Sequence, residues 1–239
     1  MLEGMTIVTE KLYWKDAYLH SFEARVIEVR DNVLYFDRTA FNPAGGGLPG
    51  DTGMAGNVKI KDTVKQGEDT VAHMADGQSI MTAGETVKCE IDWDRRYKIM
   101  RMHTAAHALS AVMQRETGAL ITGNQIRPEE SRIDFNLENF DRGRIEELVS
   151  TVNSEIAAGR EVRSYFLPKE EALRIPGIVK LAGAFPPDVS ELRIVEIDGL
   201  DIQADGGVHV RNTSEIGRIR IVKTENKGKN NRRIYFALD

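Results

Sequence analysis

Residues 92–113 read DWDRRYKIMRMHTAAHALSAVM, and at this stretch the hydrophobic pattern of the chain changes. From here apolar side chains recur every three or four residues, at Ile99, Met102, Ala106, Leu109 and Met113. This spacing is typical of an amphipathic α-helix, because residues three and four apart lie on one helical face. With Asp94 as N-cap and Gly118 after the last turn, the sequence predicts a helix over residues 94–117.

The residues before this helix follow the pattern of short strands. Ser21–Arg30 alternates apolar and polar side chains, and Val33–Thr39 follows after a short turn. Further strand candidates lie at 57–65, 70–75 and 85–92. About six short strands at a spacing of roughly 8–12 residues are typical of a small barrel or sandwich. One loop between them, FNPAGGGLPGDTG at Phe41–Gly53, has neither a helix nor a strand period.

The residues after this helix combine a second helix with further strands. We predict that helix roughly over residues 141–158, where apolar side chains again follow the helical period. Strand candidates lie at 132–137, 161–167, 191–198, 218–223 and 233–238. Helices mixed with antiparallel-type strands are typical of an α+β domain.

The composition is that of a globular protein and excludes several classes. Of the 239 residues, 41% are hydrophobic and 29% are charged, which is too apolar for a disordered chain. No uninterrupted apolar run approaches the ~20 residues that span a bilayer, and the first residues do not resemble a signal peptide. The single cysteine, Cys89, excludes an internal disulfide and a multi-cysteine zinc finger. We therefore expect a cytoplasmic protein.

Two histidines of the predicted helix, His103 and His107, are four residues apart and lie on one face, so both imidazoles can point at one ion. Imidazole is a good ligand for zinc. A zincin peptidase needs a glutamate directly after the first histidine, but Thr104 occupies that position. The pair therefore indicates a metal site of another class, or two histidines without a ligand role.

A third histidine, His209, ends the stretch DGGVH, which begins at Asp205. The two glycines allow a tight backbone fold that brings the carboxylate and the imidazole together. With the helical pair they make four nitrogen and oxygen donors, a number that suits tetrahedral zinc. The alternative is that Asp205 forms only a turn and that His209 lies in a strand.

Four segments together resemble the freestanding AlaX proteins, which are similar to the editing domain of alanyl-tRNA synthetase. They are residues 92–113, NPAGGGLPGDTG at 42–53, GNQI at 123–126 with SRIDF at 131–135, and DGGVHVRNTSEIG at 205–217. The resemblance covers nearly the whole chain, whose length matches the medium-sized subtype. It implies an α+β protein with a small N-terminal β-barrel over 1–92 and an α+β editing domain with a mainly antiparallel sheet over 93–239.

The resemblance assigns His103, His107 and His209 to a catalytic site with one zinc ion per chain. The family places a cysteine where this chain has Asp205, so Asp205 is expected to be the fourth ligand or an acceptor for metal-bound water. A carboxylate is a harder donor than a thiolate, which leaves the affinity and the metal preference open. We expect Cys89, in a strand before the helix, to be a buried apolar residue instead.

The activity that the resemblance implies is hydrolysis of the ester between a wrong amino acid and the alanine tRNA, with serine expected ahead of glycine. An alanine pocket cannot exclude glycine and excludes serine only weakly. Thr39 matches a threonine that the family places near the seryl hydroxyl, and Gly45, Gly46 and Gly47 match a glycine motif beside the pocket. Gln125 is a further expected polar contact. From the residues alone, Thr39 could equally be a turn threonine and the glycines a flexible loop.

The net charge is −5, yet residues 211–233 carry eight Lys and Arg against two Glu. Local cationic density attracts phosphates, but from charge alone this stretch could equally be a solvated basic edge with no partner. With the substrate that the resemblance implies, we expect a tRNA-binding surface at Lys227, Lys229, Arg232 and Arg233. Two alternatives stay open. The chain could be a metal-poor tRNA-binding module without hydrolase activity, or a metallohydrolase of a small ester that is indifferent to tRNA.

Overall fold

The computed structural model describes residues 7–138, 142–180 and 189–239. Internal contacts divide the chain into an N-terminal unit that ends at Tyr97 and a C-terminal unit that begins at Lys98. This division falls inside the long helix, whereas the sequence places the domain boundary at the start of that helix.

The N-terminal unit is built almost entirely from strands. Six of them pair antiparallel in the order β2-β3-β7-β6-β5-β8, and β8 pairs back to β2, so the hydrogen-bonded strands close into a ring. The elements are β1 (Glu10–Lys11), α1 (Leu12–Lys15), β2 (Ser21–Arg30), β3 (Val33–Phe36), β4 (Arg38–Thr39), β5 (Gly53–Ala55), β6 (Val58–Gln66), β7 (Thr70–Ala75) and β8 (Thr86–Ile91).

Alternating burial along β2 gives this ring its core. Phe22, Ala24 and Val26 are buried, while the residues between them are exposed, as the strand period of two requires. They pack with Leu34, Phe36, Ile60 and Cys89, among others, in one apolar cluster. Cys89 is thus fully buried, and this burial raises the pKa of its thiol to about 12.

The long helix α2 (Trp93–Thr117) is present as predicted and begins one residue earlier. The sequence predicts one apolar face, but the structure buries every residue from Ile99 to Met113 except Arg101. Several of these positions are alanines, so burial on more than one face of the helix does not require large apolar side chains. The His-x-x-x-His pair therefore lies in a buried environment.

The C-terminal unit combines this helix with two antiparallel sheets, ordered β14-β15-β10-β9 and β11-β12-β13. The prediction of a mixed α and β fold with mainly antiparallel strands is confirmed. The elements are β9 (Ile121–Gln125), β10 (Ser131–Phe135), α3 (Arg142–Ala157), β11 (Val162–Pro168), α4 (Lys169–Ala172), β12 (Glu191–Ile197), β13 (Asp201–Ala204), a 3-10 turn (Thr213–Glu215), β14 (Ile219–Asn226) and β15 (Arg232–Leu238). Within the described ranges, no helix is both long and apolar enough to cross a membrane.

Candidate metal centre

Four side chains of the C-terminal unit converge, and we call them the His–Asp cluster: His103, His107, Asp205 and His209. The first two lie on α2, and the other two follow β13. Each residue offers one ligand atom, and these atoms all lie within 4.8 Å of one another. The three histidines are only 5–7% exposed, so bulk water has little access to their rings.

The loop that carries Asp205 is held by hydrogen bonds to its backbone. Arg193 of β12 donates from Nη1 to the carbonyls of Asp205 and Gly207, at 3.0 and 2.9 Å. The Asp205 carboxylate in turn accepts from the Gly207 N–H at 2.7 Å. These bonds fix the turn that the two glycines allow, and the carboxylate faces the three imidazoles.

Each imidazole uses its Nδ1 atom for a partner outside the cluster. His103 Nδ1 lies 3.3 Å from the Val208 carbonyl. His209 Nδ1 lies 3.1 Å from Thr104 Oγ1, and because that hydroxyl donates to the Met100 carbonyl, it accepts from the imidazole. Thr104 therefore orients a histidine and has no free proton-accepting role.

The third of these partners is a carboxylate that the sequence analysis does not single out. His107 Nδ1 donates to Asp201 Oδ2 at 3.0 Å, and Gln203 Nε2 donates to the same oxygen at 2.8 Å. Lys180 Nζ donates to the other oxygen, Oδ1. Asp201 and Gln203 lie four and two residues before Asp205, so polar residues at every second position leading to a candidate ligand were a signal that could have found them.

The remaining nitrogens, the three Nε2 atoms, face the Asp205 carboxylate. The distances are 3.5 Å from His103 and 3.8 Å from His107 to Oδ2, and 3.2 Å from His209 to Oδ1. Donors placed 2.0–2.2 Å from a tetrahedral zinc ion lie roughly 3.4 Å from one another. Lone pairs that face one another at such distances repel unless a cation or a proton lies between them. The donor set therefore fits a zinc ion.

The electrostatics of the His–Asp cluster favour one proton in the absence of metal. Burial lowers the pKa of His103 to about 4, and it also holds the pKa of His209 well below its ordinary value. Burial acts in the same direction on His107, but hydrogen bonds to Asp201 and Asp205 outweigh it and raise the pKa to about 9. Burial would raise the pKa of Asp205, yet its interactions with the imidazoles, with His103 first and then with His107 and His209, hold it well below its ordinary value.

Thr39 lies inside the N-terminal unit and has no exposed surface. Its Oγ1 lies 2.8 Å from His73 Nε2 and accepts from the Phe41 N–H at 3.1 Å. His73 is fully buried, its Nδ1 lies 3.1 Å from the Leu34 carbonyl, and burial lowers its pKa to about 4. The neutral ring therefore donates from Nδ1, and the Thr39 hydroxyl donates to Nε2, which leaves one lone pair of Oγ1 unused.

The glycine-rich loop is an ordered turn of the N-terminal unit. Gly45 and Leu48 exchange two backbone hydrogen bonds, at 3.1 and 2.9 Å. Gly46 and Gly47 between them have φ of 59° and 90°, and positive φ at both central residues is what a type I′ turn requires. Gly45 has no such need, and an added Cβ there would meet no atom within 4 Å. The fold of this unit thus explains two of the three glycines.

The predicted tRNA-binding residues have unequal environments. Arg233 forms a two-point ion pair with Asp134 across the β10–β15 pairing, at 2.7 and 2.8 Å. Arg232 donates to backbone carbonyls of its own turn and of Glu138. Lys227 is exposed and lies 2.9 Å from Glu225, and Lys229 is exposed at the tip.

Gln125, the remaining predicted residue, ends β9 opposite Arg132 of β10 and is half-buried. In the part of the chain that the structure describes, no hydrogen bond joins its side chain to the His–Asp cluster.

Comparisons with known proteins agree with the motifs. The family described as "Threonyl and Alanyl tRNA synthetase second additional domain" matches residues 192–235. The chain is 50% identical to the alanyl-tRNA editing protein AlaX-M of Saccharolobus solfataricus, over 97% of this chain and 99% of that protein. It is 43% identical to AlaX-M of Methanosarcina barkeri, over 97% and 99%. An alanine–tRNA ligase of Saccharolobus islandicus is 35% identical over 94% of this chain, which covers 26% of that enzyme.

Proposed function

Because the chain belongs to the AlaX-M family of alanyl-tRNA editing proteins, we propose that it hydrolyses, in trans, the ester of alanine tRNA that carries a wrong amino acid. The observation that carries the proposal is the convergence of three imidazole Nε2 atoms on one carboxylate, each imidazole being held through Nδ1. The relatives are alanyl-tRNA editing proteins, which supports the substrate class, and the His–Asp cluster supports the chemistry.

We propose that the His–Asp cluster holds one zinc ion, with His103, His107 and His209 as ligands through Nε2 and Asp205 as the fourth. A bound zinc ion supplies Lewis acidity that polarises the ester carbonyl and activates water. The chain's own part is orientation: α2 presents two imidazoles one turn apart, and Arg193 holds the loop that presents the carboxylate. The aminoacyl ester is a reactive substrate, so no carboxylate base is needed at the position of Thr104.

The experiment compares metal-free and zinc-reloaded protein on alanine tRNA charged separately with serine, glycine and alanine. We expect reloading to restore release of the wrong amino acid and His103→Ala to abolish it, because two remaining imidazoles hold zinc poorly. His20→Ala is the matched control, since His20 is exposed in the N-terminal unit. Full turnover by His103→Ala would contradict the proposal. Tight tRNA binding without turnover at any zinc level would support a tRNA-binding module instead.

We further propose that serine is the preferred amino acid and that Thr39 contributes to this preference. The proposal is supported by the Thr39 hydroxyl, which is oriented by His73 and has one unused lone pair. Because Thr39 has no exposed surface, a seryl hydroxyl can reach it only if the Thr39 side chain becomes uncovered. Thr39→Val should raise the activation free energy of serine release by ~1–3 kcal/mol relative to that of glycine release. Thr63→Val is the control, because Thr63 is another fully buried threonine of the same unit. Equal effects on the two amino acids would remove Thr39 from recognition.

For the tRNA itself, we propose phosphate contacts by Lys227 and Lys229 at the tip of the β14–β15 hairpin and by Arg232, the first residue of β15. The two lysines are exposed, which supports this role. Arg233 already has Asp134 as a two-point partner, so we expect a smaller contribution from it. Such contacts position the substrate and weaken as salt rises.

A further inference from the structure

The buried carboxylate of Asp201 has no part in the proposed ligand set, yet both of its oxygens are hydrogen-bonded. Its side chain is 0% exposed and accepts three side-chain hydrogen bonds, from His107, Gln203 and Lys180. Lys180 is itself buried, with 8% of its side chain exposed. A buried ion pair of this kind adds little net stability compared with apolar side chains of similar size. Stability alone therefore does not explain why the Asp201–Lys180 pair lies beside the His–Asp cluster.

The three imidazoles of the cluster differ in the charge of the group behind them. His103 has a backbone carbonyl at Nδ1 and His209 has the Thr104 hydroxyl, so both partners are neutral. His107 alone has a carboxylate. A carboxylate behind a ligating imidazole fixes the ring and its tautomer and makes Nε2 a stronger donor to the metal.

The arrangement of donors also fixes the carboxylate itself. Lys180 occupies Oδ1, while His107 and Gln203 share Oδ2. The Lys180 main chain is anchored in turn, because its carbonyl accepts from the Ile121 N–H at 3.1 Å. Both oxygens of Asp201 are thus committed, and the plane of the carboxylate sets the direction of the His107 ring.

This feature coincides with an unusual ligand. Asp205 offers zinc a carboxylate, which is a harder donor than a thiolate and suits zinc less well. We propose that Asp201, held by Lys180, is a positioning residue that preorganises His107 and strengthens its bond to zinc, and so offsets the weaker fourth ligand. The inference rests on the proposed function, since it assumes that the His–Asp cluster binds zinc.

The test measures the zinc affinity of metal-free protein by competition with a chromophoric chelator, so that no activity is needed. Asp201→Asn should weaken zinc binding about 10- to 100-fold, the usual effect of removing such a partner. Asp198→Asn is the matched control, because Asp198 lies three residues away, 65% of its side chain is exposed, and its carboxylate lies 3.8 Å from Arg163. An affinity of Asp201→Asn within about twofold of the control would overturn the inference.

A second variant separates this role from simple packing. Asp201→Asn leaves Lys180 buried without its anion, whereas the double variant Asp201→Asn/Lys180→Met removes both charges. We expect the double variant to regain thermal stability without regaining zinc affinity. Recovery of both would show a merely structural role and overturn the inference.

The link to Asp205 is tested in the Asp205→Cys background, where the stronger thiolate should make the loss caused by Asp201→Asn smaller. An equal loss of zinc affinity with aspartate and with cysteine at position 205 would overturn the inference that Asp201 offsets the weaker fourth ligand. If the unaltered chain binds no zinc at all, the proposed function fails first. If it binds zinc and Asp201→Asn changes nothing, only the inference on Asp201 fails.

Discussion

Zinc should displace one proton from the His–Asp cluster when it binds at neutral pH. The pKa of His107 is raised to about 9 by Asp201 and Asp205, whereas burial lowers the pKa of His103 to about 4. At about pH 7, below this pKa, His107 is mostly protonated. Nδ1 keeps its hydrogen bond to Asp201, so the proton that leaves is the one on Nε2.

The sign of the effect follows from competition between zinc and this proton. Below about pH 9 the apparent zinc affinity should rise about tenfold for each pH unit, and above that value it should level off. The number of protons released per zinc should fall from about one at neutral pH to near zero above about pH 10. Water ionising at the metal would give the opposite trend, a count that rises with pH.

Isothermal titration calorimetry in buffers of different ionisation enthalpy measures this proton count directly. Asp198→Asn serves as the control, because a substitution at this exposed position should leave the number of protons released per zinc unchanged. A zinc affinity that does not change between about pH 6 and 9, or a proton count near zero at about pH 7, would refute the reasoning.

Three further predictions concern other parts of the chain. The pKa of His73 is lowered from 6.5 to about 4 by burial, so the unfolded chain binds more protons in this window, and stability that is complete above about pH 6.5 should fall by roughly 3 kcal/mol towards pH 4. Urea unfolding of His73→Gln should show an acid slope that is smaller by this amount, because His103 has a similarly lowered pKa and keeps its own contribution. An unchanged slope would exclude His73 as a source. Lys229→Ala should reduce the salt dependence of tRNA binding by about one ion, as binding at several salt concentrations would show. Arg233→Met should instead lower the melting temperature in thermal unfolding, because Asp134 loses its two-point ion pair and keeps only Arg132. Cys89, buried and with a raised thiol pKa, should resist iodoacetamide in the native state, and zinc release on thiol modification would contradict the ligand set.

The parts of the site that the sequence reveals are those that depend on local geometry. His103 and His107 share a helical face whatever the rest of the fold does, because the helix period fixes it. The stretch from Asp205 to His209 makes a tight approach possible through its glycines. The strand pattern of the N-terminal residues likewise follows from alternation along each segment, as β2 illustrates.

The parts that the sequence does not reveal depend on contacts between distant residues. Asp201 lies 94 positions from His107, and Thr39 lies 34 positions from His73. Their pairing requires the packing of separate elements, which no local period encodes. Arg233 shows the same dependence on distant contacts. It contributes to a basic stretch in the sequence, but the register of β15 against β10 places it opposite Asp134 and uses its charge within the fold.

X-ray absorption at the zinc edge of the reloaded protein tests the metal assignment most directly. The account predicts one zinc per chain with three imidazole nitrogens and one carboxylate oxygen at ~2.0–2.2 Å. A sulfur ligand at ~2.3 Å, or a shell with fewer than three imidazoles, would contradict it.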